Sequence, residues 1–230
     1  MSDPVVPPDY LTHHEELYRE RRSSGRYEGW ETGYANAKAD LSRIIRSGRA
    51  PTFGVALELG CGAGNMAIWL AKQGFEIHGI DVSPTAIEWA NENAAAEGVP
   101  CSFNIGNVLD EAAYPSSKLD FVLDGHLLHC IIGRDRKKLL RNVRNALKAG
   151  GYFLVRHVLS PVDERLTKRY RFDPASLLLF HGDVPYRYLP TFAMLRAELE
   201  ESGFRLMHAE LTYDLSAERG FQLATFEAST

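Results

Sequence analysis

The chain has 230 residues, of which 45% are hydrophobic and 24% are charged, values typical of a globular protein with a substantial core. Its formal net charge of -4 gives no general attraction to nucleic acid or to an anionic membrane. No run of residues is long and apolar enough to span a bilayer or to form the core of a signal peptide, so we expect neither kind of segment.

The three cysteines stand alone in the sequence, at Cys61, Cys101 and Cys130. They are odd in number and form no CxxC pair, so the sequence predicts neither a disulfide scaffold nor a zinc site. The cytoplasm is therefore the expected compartment.

The first 50 residues are predicted to form a helical cap in front of a core domain that spans residues 51–230. Residues 10–22 and 34–47 have polar, amphipathic helical patterns. The stretch between them, residues 23–33, contains three glycines and is predicted to be a loop.

From residue 54 onward, short apolar strands alternate with helices. Ser83 offers a helix N-cap and Pro84 occupies the first helical position after it. Such an alternation predicts a parallel sheet covered by helices on both faces. The predicted strands are 54–59, 75–81, 100–106, 119–125 and 152–158, and the predicted helices are 65–74, 85–98 and 135–148.

The C-terminal part completes the sheet and contains one interruption. A helix at 191–203 precedes two strands, 204–211 and 220–228, which have no helix between them and are expected to pair antiparallel at one edge. The fold class is therefore α/β: a Rossmann-like, doubly wound, seven-stranded sheet, mostly parallel with one antiparallel edge strand. The segment at about 159–190 is rich in proline and aromatic residues. We predict that it is an ordered insertion over the sheet, and we call it the lid.

Three glycines, Gly60, Gly62 and Gly64, separate the first strand from the first helix of the core. In an open parallel sheet ligands bind at the carboxyl ends of the strands, and glycines at that point let the backbone approach a ligand closely. A dinucleotide requires the spacing G-x-G-x-x-G, whereas this chain has G-C-G-A-G. Glu58, two residues before the first glycine, would repel a pyrophosphate and suits a ligand with a cationic part.

Asp81 ends the second strand, where a carboxylate can accept hydrogen bonds from both hydroxyls of a ribose. The alternative is that Asp81 caps the following helix, a position for which Ser83 already competes. We favour ribose binding because the glycine turn and the strand end both point to the same edge.

These motifs resemble the nucleotide-binding half of the class I S-adenosylmethionine-dependent methyltransferases. The resemblance covers about residues 54–158 and implies a seven-stranded sheet with one antiparallel strand, a methyltransferase domain over residues 51–230, and S-adenosylmethionine as cofactor. The segments that carry it are ELGCGAG (58–64), GIDVSPTAIEWA (79–90), FNIGNVLD (103–110), LDFVLDGHLLHCI (119–131) and LLRNVRNALKAGGYFLV (139–155).

The resemblance also implies roles for individual residues. Asp81 would hold the ribose hydroxyls, and Val82 would lie against the adenine. Asn107 stands where the family usually has Asp, so its amide oxygen would accept more weakly from the adenine amino group, while Val108 would offer its backbone N–H. The residues implied around the methionine part are Glu58, Gly60, Cys61, Gly62, Asn65 and the end of the fourth strand at Asp124.

Methyl transfer is an in-line displacement, for which a protein chiefly aligns the two reactants and excludes water. A general base is needed only when the acceptor is protonated. His126 follows the fourth strand and His157 ends the fifth, so both are candidate catalytic residues. The alternative for His126, and for His129 one helical turn later, is that the rings only line or pack the pocket. We predict no metal site, because no carboxylate–histidine cluster has suitable spacing.

The acceptor is expected to lie between the cap and the lid. The lid aromatics could stack on a planar or apolar acceptor, with an arginine for a carboxylate, or could simply seal the lid onto the sheet. The residues concerned are Tyr170, Phe172, Phe180, Tyr186 and Tyr188 with Arg169, Arg171 and Arg187 in the lid, and Tyr10, Tyr18, Arg26, Tyr27 and Trp30 in the cap.

The stretch RYEGWETG (26–33) is similar to the tryptophan-containing entry segment of the thiopurine and thiol methyltransferase group. The resemblance implies that Trp30 closes over the cofactor and that a soft sulfur or selenium atom is a possible acceptor.

The sequence therefore predicts an enzyme that methylates a small molecule, aromatic or sulfur-containing, without a nucleic-acid or membrane partner, as a monomer or homodimer. A protein or RNA methyltransferase is a second hypothesis, but the chain lacks a basic docking surface, and LDGHLL replaces the N/D-P-P-Y signature of amino-group methylation. A third hypothesis is a protein that binds the cofactor without transferase activity. A nicotinamide-dependent oxidoreductase is disfavoured by the glycine spacing.

Overall fold

The computed structural model of the protein describes residues 13–24, 28–162, 167, 170–213 and 222–230, and of residues 28–33 and 213 the backbone alone. The α-helices are α1 (His13–Ser23), α2 (Glu28–Arg46), α3 (Asn65–Lys72), α4 (Pro84–Glu97), α5 (Asp135–Ala146) and α6 (Phe192–Glu201). Short 3-10 helices span Glu111–Ala113 and Leu128–Cys130. Every helix in the described part of the chain is too short or too polar to cross a lipid bilayer.

The main sheet contains β1 (Gly54–Leu59), β2 (Phe75–Asp81), β3 (Ser102–Ile105), β4 (Leu119–Asp124), β5 (Leu147–Leu159), β9 (Arg205–Tyr213) and β10 (Gln222–Ser229). The strand order is β3-β2-β1-β4-β5-β10-β9. The first five strands are mutually parallel, and β10 is antiparallel to both β5 and β9. This arrangement confirms the predicted seven-stranded, mostly parallel sheet with an antiparallel pair at one edge.

Alternation of side chains along the central strands fills a core on each face of the sheet. Leu57 of β1 and Phe153 of β5 face a cluster that also contains buried leucines of α5 and α6. Phe121 of β4 and Leu154 of β5 face the opposite cluster, to which α2 contributes Leu41. Since α2 completes one of the two cores, its inner face is fixed to the sheet; the boundary between a cap and a core domain at residue 50 stays a prediction.

The helix α4 begins and ends as its sequence predicts. The Ser83 hydroxyl accepts a hydrogen bond from the Ala86 N–H at 3.0 Å, and Pro84 is the first helical residue. Gly98 ends the helix with a left-handed φ of 65°. The local sequence signals therefore set the position of the α4 N-terminus beside the end of β2.

Three sequence predictions differ from the structure. Helix α2 begins at Glu28, inside the segment predicted as a loop, because glycine spacing alone does not prevent helix formation. Strand β5 begins at Leu147, which pairs with Leu119, so α5 ends earlier than predicted. Residues 170–190 of the predicted lid contain three short strands that the proline-rich pattern did not predict.

Those strands are β6 (Arg171–Asp173), β7 (Leu178–His181) and β8 (Val184–Tyr188), which form a separate antiparallel sheet in the order β6-β7-β8. The Ser160 N–H donates to the Pro190 carbonyl at 3.0 Å. The lid therefore leaves the end of β5 and returns at nearly the same point, directly before α6.

Candidate active site

The turn after β1 has a backbone that suits only glycine. The φ angles of Gly60, Gly62 and Gly64 are 64°, 53° and 80°, all in the left-handed region. A Cβ atom on Gly60 would lie 2.7 Å from a methyl carbon of Leu127. The turn itself is closed by a hydrogen bond from the Gly64 N–H to the Cys61 carbonyl at 2.9 Å. The bend thus leads tightly from β1 into α3.

Asp81 connects this turn to the end of β2. One carboxylate oxygen accepts from the Gly62 N–H at 2.9 Å, and the other accepts from the Ser83 N–H at 2.9 Å. Burial raises the pKa of Asp81, and backbone N–H groups of Ser83, Gly62 and Val82 oppose that shift. Because Ser83 supplies the cap of α4, Asp81 is not needed for that purpose, and its oxygens retain lone pairs for further donors.

Glu58 is a second buried carboxyl group at the same edge. Its side chain is 1% exposed, and one oxygen accepts from the Ala67 N–H at 2.8 Å. Burial raises the pKa of Glu58 to about 8, and the nearby carboxyls of Asp81 and Asp124 add to the shift. The other oxygen lies so close to Gly125 that a Cβ there would approach it to 2.7 Å. A cationic ligand at this edge would favour the ionised form of Glu58.

Asp124 ends β4 and is the third buried acid. One oxygen accepts from the N–H groups of Leu127 at 2.7 Å and Leu128 at 3.0 Å, and thereby shapes the turn that follows the strand. The other oxygen is buried and has no hydrogen-bond partner among the described residues. Burial raises the pKa of Asp124 to about 6. Glu58, Asp81 and Asp124 thus place a buried acid at the carboxyl ends of three neighbouring strands, β1, β2 and β4. We call these three residues the acidic edge.

The residues predicted at the adenine lie at the ends of β2 and β3. The Asp81 carbonyl accepts a hydrogen bond from the Gly106 N–H at 2.9 Å, and this bond joins the two strand ends beside Val82. The Asn107 amide oxygen accepts from the Leu109 N–H at 2.9 Å, so the oxygen predicted to meet adenine already has one donor. Val108 is buried behind it. Their contacts with adenine stay predictions.

Two further predicted cofactor residues have local roles in the turn. Cys61 is buried, its thiol donates to the Gly62 carbonyl at 3.8 Å, and burial raises its pKa well above the usual value, so it is a packed thiol rather than a nucleophile. Asn65 opens α3 and lines a groove of about 250 Å³ between α2, α3 and α4, together with Trp69 and Trp89. We place the candidate site at the acidic edge rather than in this groove because the three carboxyls converge there.

Glu15, which the sequence analysis did not identify, connects helix α1 to the start of α4 by hydrogen bonds. Glu15 accepts from the Ser83 hydroxyl at 2.5 Å and the Thr85 hydroxyl at 2.7 Å. Its slight burial raises its pKa, but these bonds and one from Arg19 outweigh that and lower it to about 2. Nothing in the local sequence of Glu15 indicates this contact, since its partners are some 70 positions away.

The cap places two tyrosines beside the acidic edge. Tyr18 of α1 is buried against Ala63, Ala86 and Trp89. Burial raises the pKa values of Tyr18 and Tyr34. The nearby carboxyl of Asp81 raises that of Tyr18 further, and the carboxyl of Glu58 raises that of Tyr34 further. Tyr34 was not predicted as a site residue. The side chain of Trp30 and the residues Tyr10, Arg26, Tyr27 and Arg169 lie outside the described part of the chain.

Three histidines follow one another across the ends of β4 and β5. The His126 ring lies 5.8 Å from that of His129, which lies 5.7 Å from that of His157. His126 has a φ of 68°, an uncommon left-handed conformation for a side-chain-bearing residue. His129 is buried, and burial lowers its pKa well below the usual value, with Arg187 the next cause. Among the described residues, no three His, Cys, Asp or Glu side chains are grouped as metal ligands.

His157 was predicted at the pocket entrance, whereas it is fully buried in the structure. Its Nδ1 lies 2.6 Å from the Val158 carbonyl, so it carries the proton, and its Nε2 then accepts from Arg136 at 3.4 Å. Burial lowers its pKa well below the usual value, followed by the charge of Arg136. The ring is neutral and both nitrogens have partners, because the side chain of this β5 residue points into the core.

The lid aromatics mainly attach the lid to the sheet, which is the second of the two alternatives left open by the sequence. Phe180 and Tyr188 pack around Ile132 and Leu178. The Tyr188 ring also lies 4.8 Å from the guanidinium carbon of Arg136. The partly buried aromatic residues of a second group pack against the buried Val158, Leu179 and Leu189. These aromatic residues are Tyr170, Phe172 and Tyr186.

Comparison with known sequences agrees with this geometry. Residues 56–151 match a family model described as a methyltransferase domain. The chain is 25% identical over 127 residues to a 2-heptyl-1-hydroxyquinolin-4(1H)-one methyltransferase of Mycobacteroides abscessus, covering 55% of this chain and 54% of that protein. It is 30% identical over 97 residues to a ubiquinone biosynthesis O-methyltransferase of Methylobacterium nodulans, covering 42% of this chain and 38% of that protein. The chain thus spans about half the length, or less, of these curated relatives.

Comparison with solved structures extends the match to the whole fold. The chain resembles a 1,6-didemethyltoxoflavin-N1-methyltransferase of Burkholderia thailandensis, solved with 1,6-didemethyltoxoflavin and S-adenosylhomocysteine. The TM-score is 0.72 at 19% identity, and the match covers 100% of this chain and 93% of the other. The comparisons support S-adenosylmethionine as the cofactor, as the motifs implied. Residues 56–151 therefore match a methyltransferase domain, and the sheet order and glycine turn of the chain agree with that match.

Proposed function

We propose that this protein is an enzyme that transfers a methyl group from S-adenosylmethionine to a small-molecule acceptor by in-line displacement. The observation that carries the proposal is the convergence of three buried carboxyls, Glu58, Asp81 and Asp124, on the left-handed glycine turn. S-adenosylmethionine carries a sulfonium and an ammonium group, and buried carboxyls stabilise such cations far better than water-exposed ones. A dinucleotide pyrophosphate would be repelled at the same place.

The cofactor residues fit this ligand in the following way. Asp81 would accept from the ribose hydroxyls, with Val82, Asn107 and Val108 beside the adenine. Asp124 would meet the amino group of the ligand through its backbone and through the carboxylate oxygen that has no hydrogen-bond partner among the described residues. The residues around the methionine part would be Glu58, Gly60, Cys61, Gly62 and Asn65, with Trp30 closing from the cap. When bound, S-adenosylmethionine supplies the electrophilic methyl group.

The chain itself contributes alignment and exclusion of water. The cap covers the edge through Tyr18, and the lid packs on the turn after β4, which carries His126. His126 is the proposed general base for an acceptor that is protonated at the working pH. For His157 the proposal is a positioning role, because its Nε2 holds Arg136 rather than an acceptor.

A small acceptor is favoured because the three carboxyls of the acidic edge are buried, none of them more than 7% exposed. The small-molecule names of the quinolinone and toxoflavin enzymes are consistent with it. An aromatic or sulfur-containing acceptor, a monomeric or homodimeric state and a cytoplasmic location are proposed on the sequence alone.

The test is calorimetric titration with S-adenosylhomocysteine and S-adenosylmethionine, followed by a screen of small acceptors for release of S-adenosylhomocysteine. We expect saturable binding of both compounds and turnover with at least one acceptor. No binding of either compound by the folded protein would overturn the proposal. Binding without any turnover would identify a cofactor-binding protein instead, and tight NADH binding with no response to S-adenosylhomocysteine would identify an oxidoreductase.

A further inference from the structure

Arg187 of β8 is a cation in the lid that has no carboxylate partner among the described residues. Its Nη2 donates to the Tyr186 hydroxyl at 3.0 Å, and its guanidinium carbon lies 4.6 Å from the centre of that ring. Its Nε is buried and has no hydrogen-bond partner among the described residues. Within the same part of the chain, no carboxylate lies within 4.0 Å of the guanidinium.

The other described arginines near the lid have a carboxylate partner or are exposed to water, although the buried Nε of Arg156 also has no hydrogen-bond partner among the described residues. Arg136 forms two bonds of 2.7 Å with Glu198, and Arg156 pairs with Asp40 at 3.2 Å. Arg171 stacks on the Phe180 ring with its guanidinium carbon 3.8 Å from the centre, and its residue is exposed to water. Burying an unpaired charge is costly unless a partner or water compensates it. Arg187 therefore differs from its neighbours in a way that calls for an anionic partner.

The groups around Arg187 do not supply that anion. Burial raises the pKa of the Cys130 thiol to about 11, and the charge of Arg187 only partly opposes this, so the thiol stays protonated at neutral pH. Burial and then Arg187 lower the pKa of His14 to about 4, and the same two causes act on His129. In the described part of the chain, the groups that interact with Arg187 are therefore neutral hydrogen-bonding groups.

Arg187 lies close to the turn after β4, beside which the proposed reaction would place the acceptor. The guanidinium interacts with Cys130 in the short helix Leu128–Cys130, which directly follows the turn shaped by Asp124. His126 lies in that turn, at the carboxyl end of β4. An in-line displacement requires the acceptor to enter on the side of the methyl group away from the rest of the cofactor, between this turn and the lid.

We propose that Arg187 binds a carboxylate of the methyl acceptor, so that the enzyme selects anionic small molecules over their neutral analogues. This inference rests on the proposed methyltransferase function and assigns its substrate class. The planar guanidinium can present two parallel N–H donors to a carboxylate. The neutral His14 and His129 rings and the Tyr186 hydroxyl can orient the remainder of the acceptor.

The test compares carboxylates with their carboxamides in the presence of saturating S-adenosylhomocysteine. Suitable pairs are 2-mercaptobenzoate with 2-mercaptobenzamide, 4-hydroxybenzoate with 4-hydroxybenzamide, and benzoate with benzamide. We expect the wild-type protein to bind a carboxylate roughly 10- to 100-fold more tightly than its amide, as for a charge-assisted hydrogen-bonded pair in a buried site. The Nε–H resonance of Arg187, assigned from its loss in the R187Q variant, should shift with the carboxylate and not with the amide.

The variants localise the effect. R187Q should abolish the preference for the carboxylate, and R187K should retain part of it, because Lys keeps the charge without the planar fork. R171Q is the matched control in the same small sheet and should behave as the wild type. Should R187Q fail to fold, R187K, which also lacks the guanidinium Nε–H, supplies both the assignment of the resonance and the comparison of carboxylate preference.

Each outcome separates this inference from the proposed function. Absence of S-adenosylhomocysteine binding in the wild type refutes the proposed function. Normal S-adenosylhomocysteine binding with no carboxylate preference, with no resonance shift, or with the preference unchanged in R187Q refutes the role of Arg187 alone.

Discussion

The carboxyl edge of the sheet and the cover above it are built from different kinds of contact. At the edge, the carboxylates of Asp81 and Asp124 are held by backbone N–H groups, and the turn between them has angles that only glycine adopts readily. In the cover, side chains meet other side chains: the His13 ring of α1 lies 5.3 Å from His181 of the lid, and Tyr170 stacks on Tyr186 at 5.7 Å. Backbone-held groups suit a ligand common to many enzymes, whereas side-chain contacts can change with the acceptor.

The comparison predicts that the two regions separate functionally. Replacing the lid between Ser160 and Pro190 with a short glycine-serine linker is feasible, because these two residues are already hydrogen-bonded at 3.0 Å. We expect turnover to be abolished while S-adenosylhomocysteine still binds, since the acidic edge lies outside the lid. Calorimetry and an activity assay on the same preparation measure both.

The loss of packing on Val158 and Ile132 should lower the melting temperature without unfolding the sheet. If S-adenosylhomocysteine binding disappeared together with turnover from a folded variant, the lid would belong to the cofactor site and the comparison would fail.

A backbone change at the edge should do the reverse and remove cofactor binding. In Gly60→Ala the new Cβ would lie 2.7 Å from Leu127, and alanine in a left-handed conformation costs roughly 1–2 kcal/mol. We expect S-adenosylhomocysteine binding to fall below detection by calorimetry. Gly98→Ala is the matched control, because Gly98 has nearly the same φ of 65° with nothing within 4 Å of its Cβ position.

In urea denaturation the control should lose only the roughly 1–2 kcal/mol of the left-handed conformation, and it should bind S-adenosylhomocysteine normally. Equal binding by the two variants would show that the glycine turn serves chain reversal only.

Removing the Asp81 carboxylate should have a smaller, graded effect. Asp81→Ala is expected to weaken S-adenosylhomocysteine binding by on the order of 1.5–3 kcal/mol for each hydrogen bond to the ribose, roughly 10- to 150-fold. Asp120→Ala provides the comparison at the opposite edge of the sheet, where Asp120 accepts from Lys148 at 2.7 Å and the Val55 N–H at 2.9 Å. An unchanged dissociation constant in Asp81→Ala would remove the ribose assignment.

The same division explains what the sequence could and could not predict. The backbone geometry of the edge was predictable because its sequence signals are local. The glycines lie in the turn that they form, Ser83 directly precedes the helix that it caps, and Asp81 ends its own strand. The contact of Glu15 with Ser83 depends on residues far apart in the chain, and so does the lack of a hydrogen-bond partner for the Arg187 Nε among the described residues. The lid strands have only three to five residues, too few for a period-2 pattern to emerge among prolines.

The smallest expected effect is a change of stability with pH, caused by the buried Glu58 carboxyl when no cationic ligand is bound. Because the pKa of Glu58 rises from its ordinary 4.5 to about 8, the folded protein binds more protons than the unfolded chain between these values. Stability must then fall as the pH rises through this window, by up to about 1.4 kcal/mol per pH unit. The isosteric variant Glu58→Gln should lack this contribution while its side-chain oxygen still accepts from Ala67.

The measurement is urea denaturation of the cofactor-free wild type and Glu58→Gln between about pH 7 and pH 8. This range lies above the pKa of Asp124, which is raised to about 6, so the titration of Asp124 contributes little to it. It also lies above the ordinary histidine pKa of 6.5. Below that pH, the lowered pKa values of His14 and His129 would make stability rise with pH. We expect stability to decrease with pH in the wild type and to stay nearly constant in the variant. Parallel curves would mean that Glu58 is ionised in the folded protein, and the edge would then attract a sulfonium without any proton release on binding.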